Sequence, residues 1–344
     1  MRGRGAITGS TDWTFWPKTV LLSNPRAREI SHVARLARTA LYWNVAVVLW
    51  GAYVRATGSG DGCGNRWPFC DGDVIGASAK AQTIIEFTHR MTSAISLLMI
   101  TALVLWCWRV TKKGDWARYS AVLAAAFLAN EALLGAALVL LKHVGNDQSA
   151  GRTLFLCLHF GNTILLLATL SLTAVWLSND SRSFTLIGHG REVSFVGLGL
   201  LATMLAGISG AVAALADALF PSTSLRSSLM QDFGSGTPTL LRVRLFHPAV
   251  ATVAACYVLW VIVRSSTGRN RFSRPAIALI VLLFLQVGIG MANVLLLAPV
   301  WLQIAHLFLA DVLWVLQVVV SADLVIERAG IGEANAMASV VKEG

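Results

Sequence analysis

Four of the seven histidines, His89, His159, His247 and His306, lie inside long apolar stretches of the chain. An imidazole in a membrane helix is costly without a partner, and its chemistry there is metal ligation, proton transfer or a bond to a neighbouring helix. The four fall one to each even-numbered stretch, about five to seven residues past the expected start, or roughly 8–10 Å deep at the rise of an α-helix. Zinc usually gathers Cys or carboxylates with His into one tight tetrahedron. Two histidine pairs at one depth suit two haems better, each held between helices by axial imidazoles. A single such His can equally bond a neighbouring helix or line a water cavity; the repetition is what favours ligation, with iron held through haem only.

One acid stands close by. In EFTHR (86–90), Glu86 and His89 are i, i+3 neighbours on one helix face, where a carboxylate can orient the ring, take a proton or serve catalysis. The matching place before His247 is expected at Val243, between Arg242 and Arg244, with no acid. The two pairs therefore differ in chemistry, as expected if one keeps a permanent cofactor and the other works on a substrate. Arg90, Arg242 and Arg244 fall near the outer edge, where they can meet haem propionates or lipid headgroups. Glu131 and Asp311 are further intramembrane candidates, for proton traffic or for interhelical hydrogen bonds. His32, His143 and His189 lie outside the apolar stretches and are expected to be solvated.

The segment VRATGSGDGCGNRWPFC (54–70) carries glycines, but it follows an apolar helix and has no GKS or full GxGxxG, so a phosphate cradle is excluded. Cys63 and Cys70 have no second pair to complete a metal site. On an oxidising face a disulfide is their expected state, shaped by Trp67-Pro68 and serving as a staple or as a redox couple. Cys107, Cys157 and Cys256 read as packing residues.

The elements that position these residues follow from composition. The 344 residues are 56% apolar and 13% charged, about half the charge of a soluble domain. Eight stretches approach the roughly 20 residues of a membrane helix: about 39–56, 83–108, 117–141, 153–177, 194–217, 244–264, 275–298 and 301–324. The sixth is weakened by His247 and Pro248. The net charge of +10 is concentrated in residues 1–38 and in the connections 2–3, 4–5 and 6–7. By the positive-inside rule both termini are then cytoplasmic and the Cys loop is outside; the basic charge reports topology and excludes a nucleic-acid partner. Residues 1–38 show no signal-peptide pattern.

Internal similarity divides the chain in two. GAYVRATGSG (51–60) matches GAVAALADAL (210–219), LLGAALVLL (133–141) matches GIGMANVLLL (288–297), and LHF (158–160) matches AHLF (305–308). The expected fold is an all-α integral membrane protein with eight transmembrane helices in two pseudo-twofold-related four-helix bundles. Its parts are a cytoplasmic segment 1–38, an N-terminal half 39–177 with outer loop 57–81, a cytoplasmic linker 178–193, a C-terminal half 194–325 and a cytoplasmic tail 326–344.

VRATGSGDGCGNRWPFCDG, EFTHR, LHF, FHP and LQVGIGMANVLLLAPVWLQIAHL together resemble the haem A synthases, across about residues 40–325. The resemblance implies an oxidoreductase of the cell membrane that converts the C8 methyl of haem O to the formyl group of haem A by successive hydroxylations, for supply to terminal oxidases. It implies that His247 and His306 ligate a resident haem b, that His89 and His159 line the substrate haem site, that Glu86 is catalytic, and that Cys63 and Cys70 form a redox-active or stabilising loop. Haem O would arrive from a haem O synthase, and an electron donor or acceptor is required. Two rival readings also explain four histidines: a bis-His b-type cytochrome linked to quinol, and a haem transporter or chaperone. A prenyltransferase is disfavoured, because paired Asp-rich motifs are absent.

Overall fold

The computed structural model describes residues 25–70, 80–178, 190–266 and 273–343, with the backbone alone for Ser266 and for 326–343. The expected N-terminal segment, outer loop, linker and tail lie partly outside the described residues, His189 among them. Within the described residues the chain is helical: α1 Pro25–Ala56, α2 Ala81–Val110, α3 Trp116–Leu140, α4 Ala150–Ser178, α5 Gly190–Leu219, α6 Leu225–Phe233, α7 Thr239–Arg244, α8 Phe246–Ser266, α9 Arg274–Leu295 and α10 Val300–Glu343, with a short 3₁₀ turn at Ser59–Asp61. Helix is what such blocks must form in lipid, because it satisfies every backbone polar group within the segment.

Local signals set several boundaries. Asp115 accepts the Ala117 N–H at the start of α3, and Ser273 accepts that of Ala276 at the start of α9, where Pro275 occupies the first turn. The sixth apolar stretch is divided at Leu245 into α7 and α8. Pro248 explains the break: it lacks an N–H and its ring would clash with the carbonyl four residues back, that of Arg244.

Among the described residues, seven helices are long and apolar enough to cross a membrane: α2, α3, α4, α5, α7 running on into α8, α9 and α10. The protein is therefore a multi-pass membrane protein. The helix α1 is not among the seven. Its uncharged stretch lies between Arg38 and Arg55, giving only about 24 Å of helix against a hydrocarbon thickness of about 30 Å. It also starts at Pro25, inside the expected N-terminal segment, while α10 continues through the expected tail to Glu343.

Two cores hold the helices together. The larger joins Val33, Ala37 and Leu41 of α1, Ile100 and Leu103 of α2, Ala121 and Leu128 of α3, and Leu167 and Leu170 of α4. The smaller joins Val258 and Ile262 of α8, Leu279 and Leu283 of α9, and Leu313 and Leu316 of α10. The helix α10 serves both, since Trp314 and Val315 lie in the larger core and the Trp314 indole donates to the Ile164 carbonyl of α4 at 2.8 Å. Trp43 and Trp50 tie α1 to α2 by donating to the carbonyls of Thr92 and Ile85.

Candidate functional site

Each of the four membrane histidines faces a glycine of another helix. A Cβ built on Gly51 would come within 3.0 Å of His89 Cε1, on Gly210 within 2.9 Å of His247 Cε1, and on Gly290 within 3.2 Å of His306 Cε1; on Gly135 it would lie 3.7 Å from His159 Cε1. Close approach of helix to ring thus accounts for Gly51, Gly210 and Gly290, while Gly135 has room for a methyl. They belong to the same segments whose similarity marked the internal repeat, so their signal was present in the sequence although their purpose was not.

Two of the rings meet directly. His247 and His306 stand nearly perpendicular, at 80°, with ring centres 6.5 Å apart. His89 and His159 are near enough to interact electrostatically. Because α2 starts at Ala81 and α4 at Ala150, His89 and His159 sit a little further along their helices than expected, whereas His247 lies in the first turn of α8. Among the described residues, Nδ1 of His89, His159 and His306 is buried without a hydrogen-bond partner. Nδ1 of His247 lies 3.0 Å from the Ser209 hydroxyl, whose own proton goes to the Ala206 carbonyl, leaving that oxygen free to accept.

Around the N-terminal pair, the acid and the Cys loop form one unit. Cys63 and Cys70 are joined as a disulfide. The loop lies directly on the first turn of α2: a Cβ on Gly62 would collide with the Gln82 backbone at 2.5 Å, and Thr83 Oγ1 donates to the Gly62 carbonyl. Glu86, 4% exposed, accepts the Cys63 N–H through Oε2 at 2.8 Å and pairs through Oε1 with Arg90 at 2.6 Å. The other end of the Arg90 guanidinium donates to the carbonyls of Arg66, Pro68 and Phe69. Arg90, expected to meet a propionate or a lipid headgroup, here bonds Glu86 and the loop.

The C-terminal half differs in sign. Counting back from the histidines, the residue matching Glu86 is Arg244, three before His247, and not Val243, which is one residue out of register. Arg244 pairs with Asp217 at 2.7 Å and with Asp232 at 2.6 Å. Arg242 is exposed, its backbone N–H donates to the Pro238 carbonyl at 3.4 Å, and its side chain makes no hydrogen bond or ion pair among the described residues. Glu131 meets His159, Asn162 and Thr163, while one carboxylate oxygen of the buried Asp311 has no hydrogen-bond partner among the described residues.

Sequence reasoning missed Arg55. From the last turn of α1 it donates to the Ala214 carbonyl of α5 at 2.6 Å and reaches Gln303 of α10 at 3.4 Å, joining the two sets of helices. A lone arginine closing an apolar helix was the available signal. His143 is likewise not simply solvated: it bonds Asp147 at 2.8 Å in the turn between α3 and α4. Among the described residues no cluster of His, Cys, Asp and Glu could hold a bare metal ion.

Fold and site together define a multi-pass helical membrane protein with four intramembrane imidazoles, each against a glycine of another helix. Residues 34–318 match the family COX15-CtaA, cytochrome oxidase assembly protein, and the chain belongs to it. A Protoheme IX farnesyltransferase of Thermus thermophilus is 43% identical over 288 residues, covering 83% of this chain but 47% of that protein, so the chain spans about half the length of this relative. A Heme A synthase of an Exiguobacterium species is 28% identical over 76% of this chain and 83% of the relative; one of Listeria monocytogenes is 27% identical over 78% and 88%.

Proposed function

We propose that the protein is a haem A synthase, oxidising the C8 methyl of haem O to a formyl group by successive hydroxylations. The observation that carries this reading is the pairing of four glycine-backed imidazoles, with a buried carboxylate beside one pair only. The similarity to the two Heme A synthases supports it.

In this reading α1 is the first of eight crossings, α7 and α8 together make the sixth, and the chain forms two four-helix halves, 39–177 and 194–325. The basic residues at 109–118 and 264–274 support cytoplasmic termini and an outer Cys loop. His247 and His306 hold a resident haem b. Two imidazole nitrogens bound to one iron at roughly 2 Å each put their ring centres roughly 6 Å apart, which suits the 6.5 Å between these rings. That haem supplies one-electron chemistry that side chains lack. Ser209 fixes the His247 ring, the glycine faces set ring depth, and exposed Arg242 is placed to meet a propionate.

His89 and His159 orient haem O in the N-terminal half. Glu86, held between the Cys63 N–H and Arg90, manages the proton released as the methyl is oxidised. The farnesyltransferase name belongs to a protein about twice as long, and no paired Asp-rich motif occurs in this chain. We assign prenyl transfer to the part of that relative which this chain does not match; a relative carrying both parts agrees with direct handover of haem O.

The test is pigment extraction with mass analysis after co-expression with a source of haem O. Formyl-bearing haem A is expected. Haem b alone would identify an electron-transfer cytochrome, and loaded haem O without formyl product a carrier.

A further inference from the structure

Besides Glu86 and Arg244, the two halves differ in charge at one more matching position. Glu131 stands four residues before Gly135 on α3, and Gln286 four before Gly290 on α9. Each turns toward the histidine that faces its glycine: Glu131 Oε1 lies 3.4 Å from His159 Nδ1, and Gln286 Nε2 lies 3.4 Å from His306 Nε2. The carboxylate is fixed on both oxygens. Thr163 Oγ1 donates to Oε1, and Asn162 Nδ2 donates to Oε2 and to the Phe127 carbonyl, while Asn130 Nδ2 donates to Asn162 Oδ1. Asn162 thus bonds Oε2, the single Thr163 hydroxyl proton is shared between Oε1 and the His159 carbonyl at 3.0 Å, and Oε1 is the oxygen that faces the His159 ring, where an ionised carboxylate presents an acceptor.

We infer that Glu131 is a positioning residue that makes the two halves electronically unequal by holding an anionic acceptor at Nδ1 of His159. The inference rests on the haem-binding reading above. A carboxylate behind a ligating imidazole fixes the Nδ1–H tautomer, leaves Nε2 bare for the metal and raises ligand basicity. The 3.4 Å approach is longer than an ordinary N–H···O bond, but His159 Nδ1 is buried and Glu131 is the acceptor placed beside it. The other ring nitrogens lack such a charge: His247 Nδ1 meets the neutral Ser209 hydroxyl, and Nδ1 of His89 and of His306 has no hydrogen-bond partner among the described residues. A stronger donor stabilises oxidised iron, so the haem held by His89 and His159 has the lower potential for this term.

The test is a redox titration of the protein loaded with haem O, comparing wild type, Glu131→Gln and Thr163→Val. Glu131→Gln replaces the carboxylate beside His159 Nδ1 by a neutral amide of nearly the same size. The reduced-to-oxidised ratio of the N-terminal haem at fixed potential is expected to rise about tenfold, which is about 59 mV for one electron. Thr163→Val removes a neutral donor from the same carboxylate oxygen and is expected to shift the ratio the opposite way. The haem of the C-terminal half is expected to stay put in both. Unchanged potentials, or shifts of the same sign in both variants, overturn the inference. If wild type takes no haem at His89 and His159, the functional reading itself fails. In that case ¹⁵N NMR of the imidazoles decides: an Nδ1–H tautomer of His159 lost in Glu131→Gln supports the contact, and identical tautomer populations overturn it.

Discussion

The backbone N–H of Cys63 donates to the carboxylate of Glu86 at 2.8 Å, so a residue of the disulfide loop bonds directly to the acid one helical turn from His89. Arg90 closes the arrangement from the other side, taking Glu86 and three loop carbonyls at once. Charge-assisted bonds of this kind are about twice as strong as neutral ones. Loop position and the direction of the Glu86 carboxylate therefore cannot change independently.

Replacing Glu86 separates its two tasks. Glu86→Gln keeps an oxygen for the Cys63 N–H but removes the charge opposite Arg90; Glu86→Ala removes both. Haem A yield is expected to fall by about a hundredfold or more in each, the scale of a lost proton-transfer group, while the resident haem b spectrum is retained. Normal yield in Glu86→Gln would reduce the carboxylate to a fastening for the loop.

The disulfide can be tested apart from the acid, because the bond to Glu86 uses the Cys63 backbone. A double Cys63→Ala, Cys70→Ala variant is expected to lose roughly 2 kcal/mol of stability, as for a short closed loop. Haem A yield should drop with it, through a less firmly placed Glu86. Thermal melts and product analysis on one preparation measure both, and a lower melting point with full yield would make the bridge a staple only.

Much of the fold was legible because a bilayer leaves little choice: long apolar blocks become helices, and Pro248 announces the break before α8. The histidine pattern was legible for the same reason, since a polar ring in such a block stands out. What could not be read was which polar residue meets which. Ser209, Asn162, Thr163 and Gln286 look like ordinary helix positions until another helix is laid against them, and Arg55 gains meaning only from Ala214 and Gln303, far away in sequence. The Arg90 role was hidden similarly, because three loop carbonyls converge on it only after the disulfide loop folds back over α2.

The outer turn between α3 and α4 carries a pH signature. Slight burial raises the pKa of Asp147, but hydrogen bonds from the His143 ring and from the Ser149 side chain and backbone outweigh it, so the carboxyl titrates below the ordinary value. A depressed folded-state pKa stabilises the fold above the unfolded value, roughly 3.9 for Asp, and that stabilisation disappears as pH falls through the folded value. Asp147→Asn is therefore expected to melt below wild type at neutral pH, with the two melting points converging below about pH 4. A gap that persists unchanged into acid would show that the charge is not what holds the turn.

His247 and His306 are assigned to one haem, so either substitution by Ala is expected to remove the resident b-type absorption. His89→Ala and His159→Ala should leave it in place while lowering haem O retention. An intact b-type spectrum in both C-terminal variants would exclude this pair as the resident site.

The glycine faces give the sharpest contrast, because the four positions differ in clearance. A methyl at Gly210 would stand 2.9 Å from His247 Cε1 and one at Gly51 3.0 Å from His89 Cε1, whereas at Gly135 the distance to His159 is 3.7 Å, an ordinary contact. Forcing such a group into a packed site costs about 1–3 kcal/mol and moves the ring. Gly210→Ala is therefore expected to weaken or shift the resident haem spectrum, and Gly51→Ala to lower haem O binding and haem A yield with that spectrum unchanged. Gly135→Ala should behave like wild type in both assays, and it gains slightly from the better helix propensity of alanine. Absorption spectra and haem extraction of the three variants check this ordering. Equal damage at Gly135 and Gly210 would mean that these glycines serve helix packing in general and not the seating of the imidazoles.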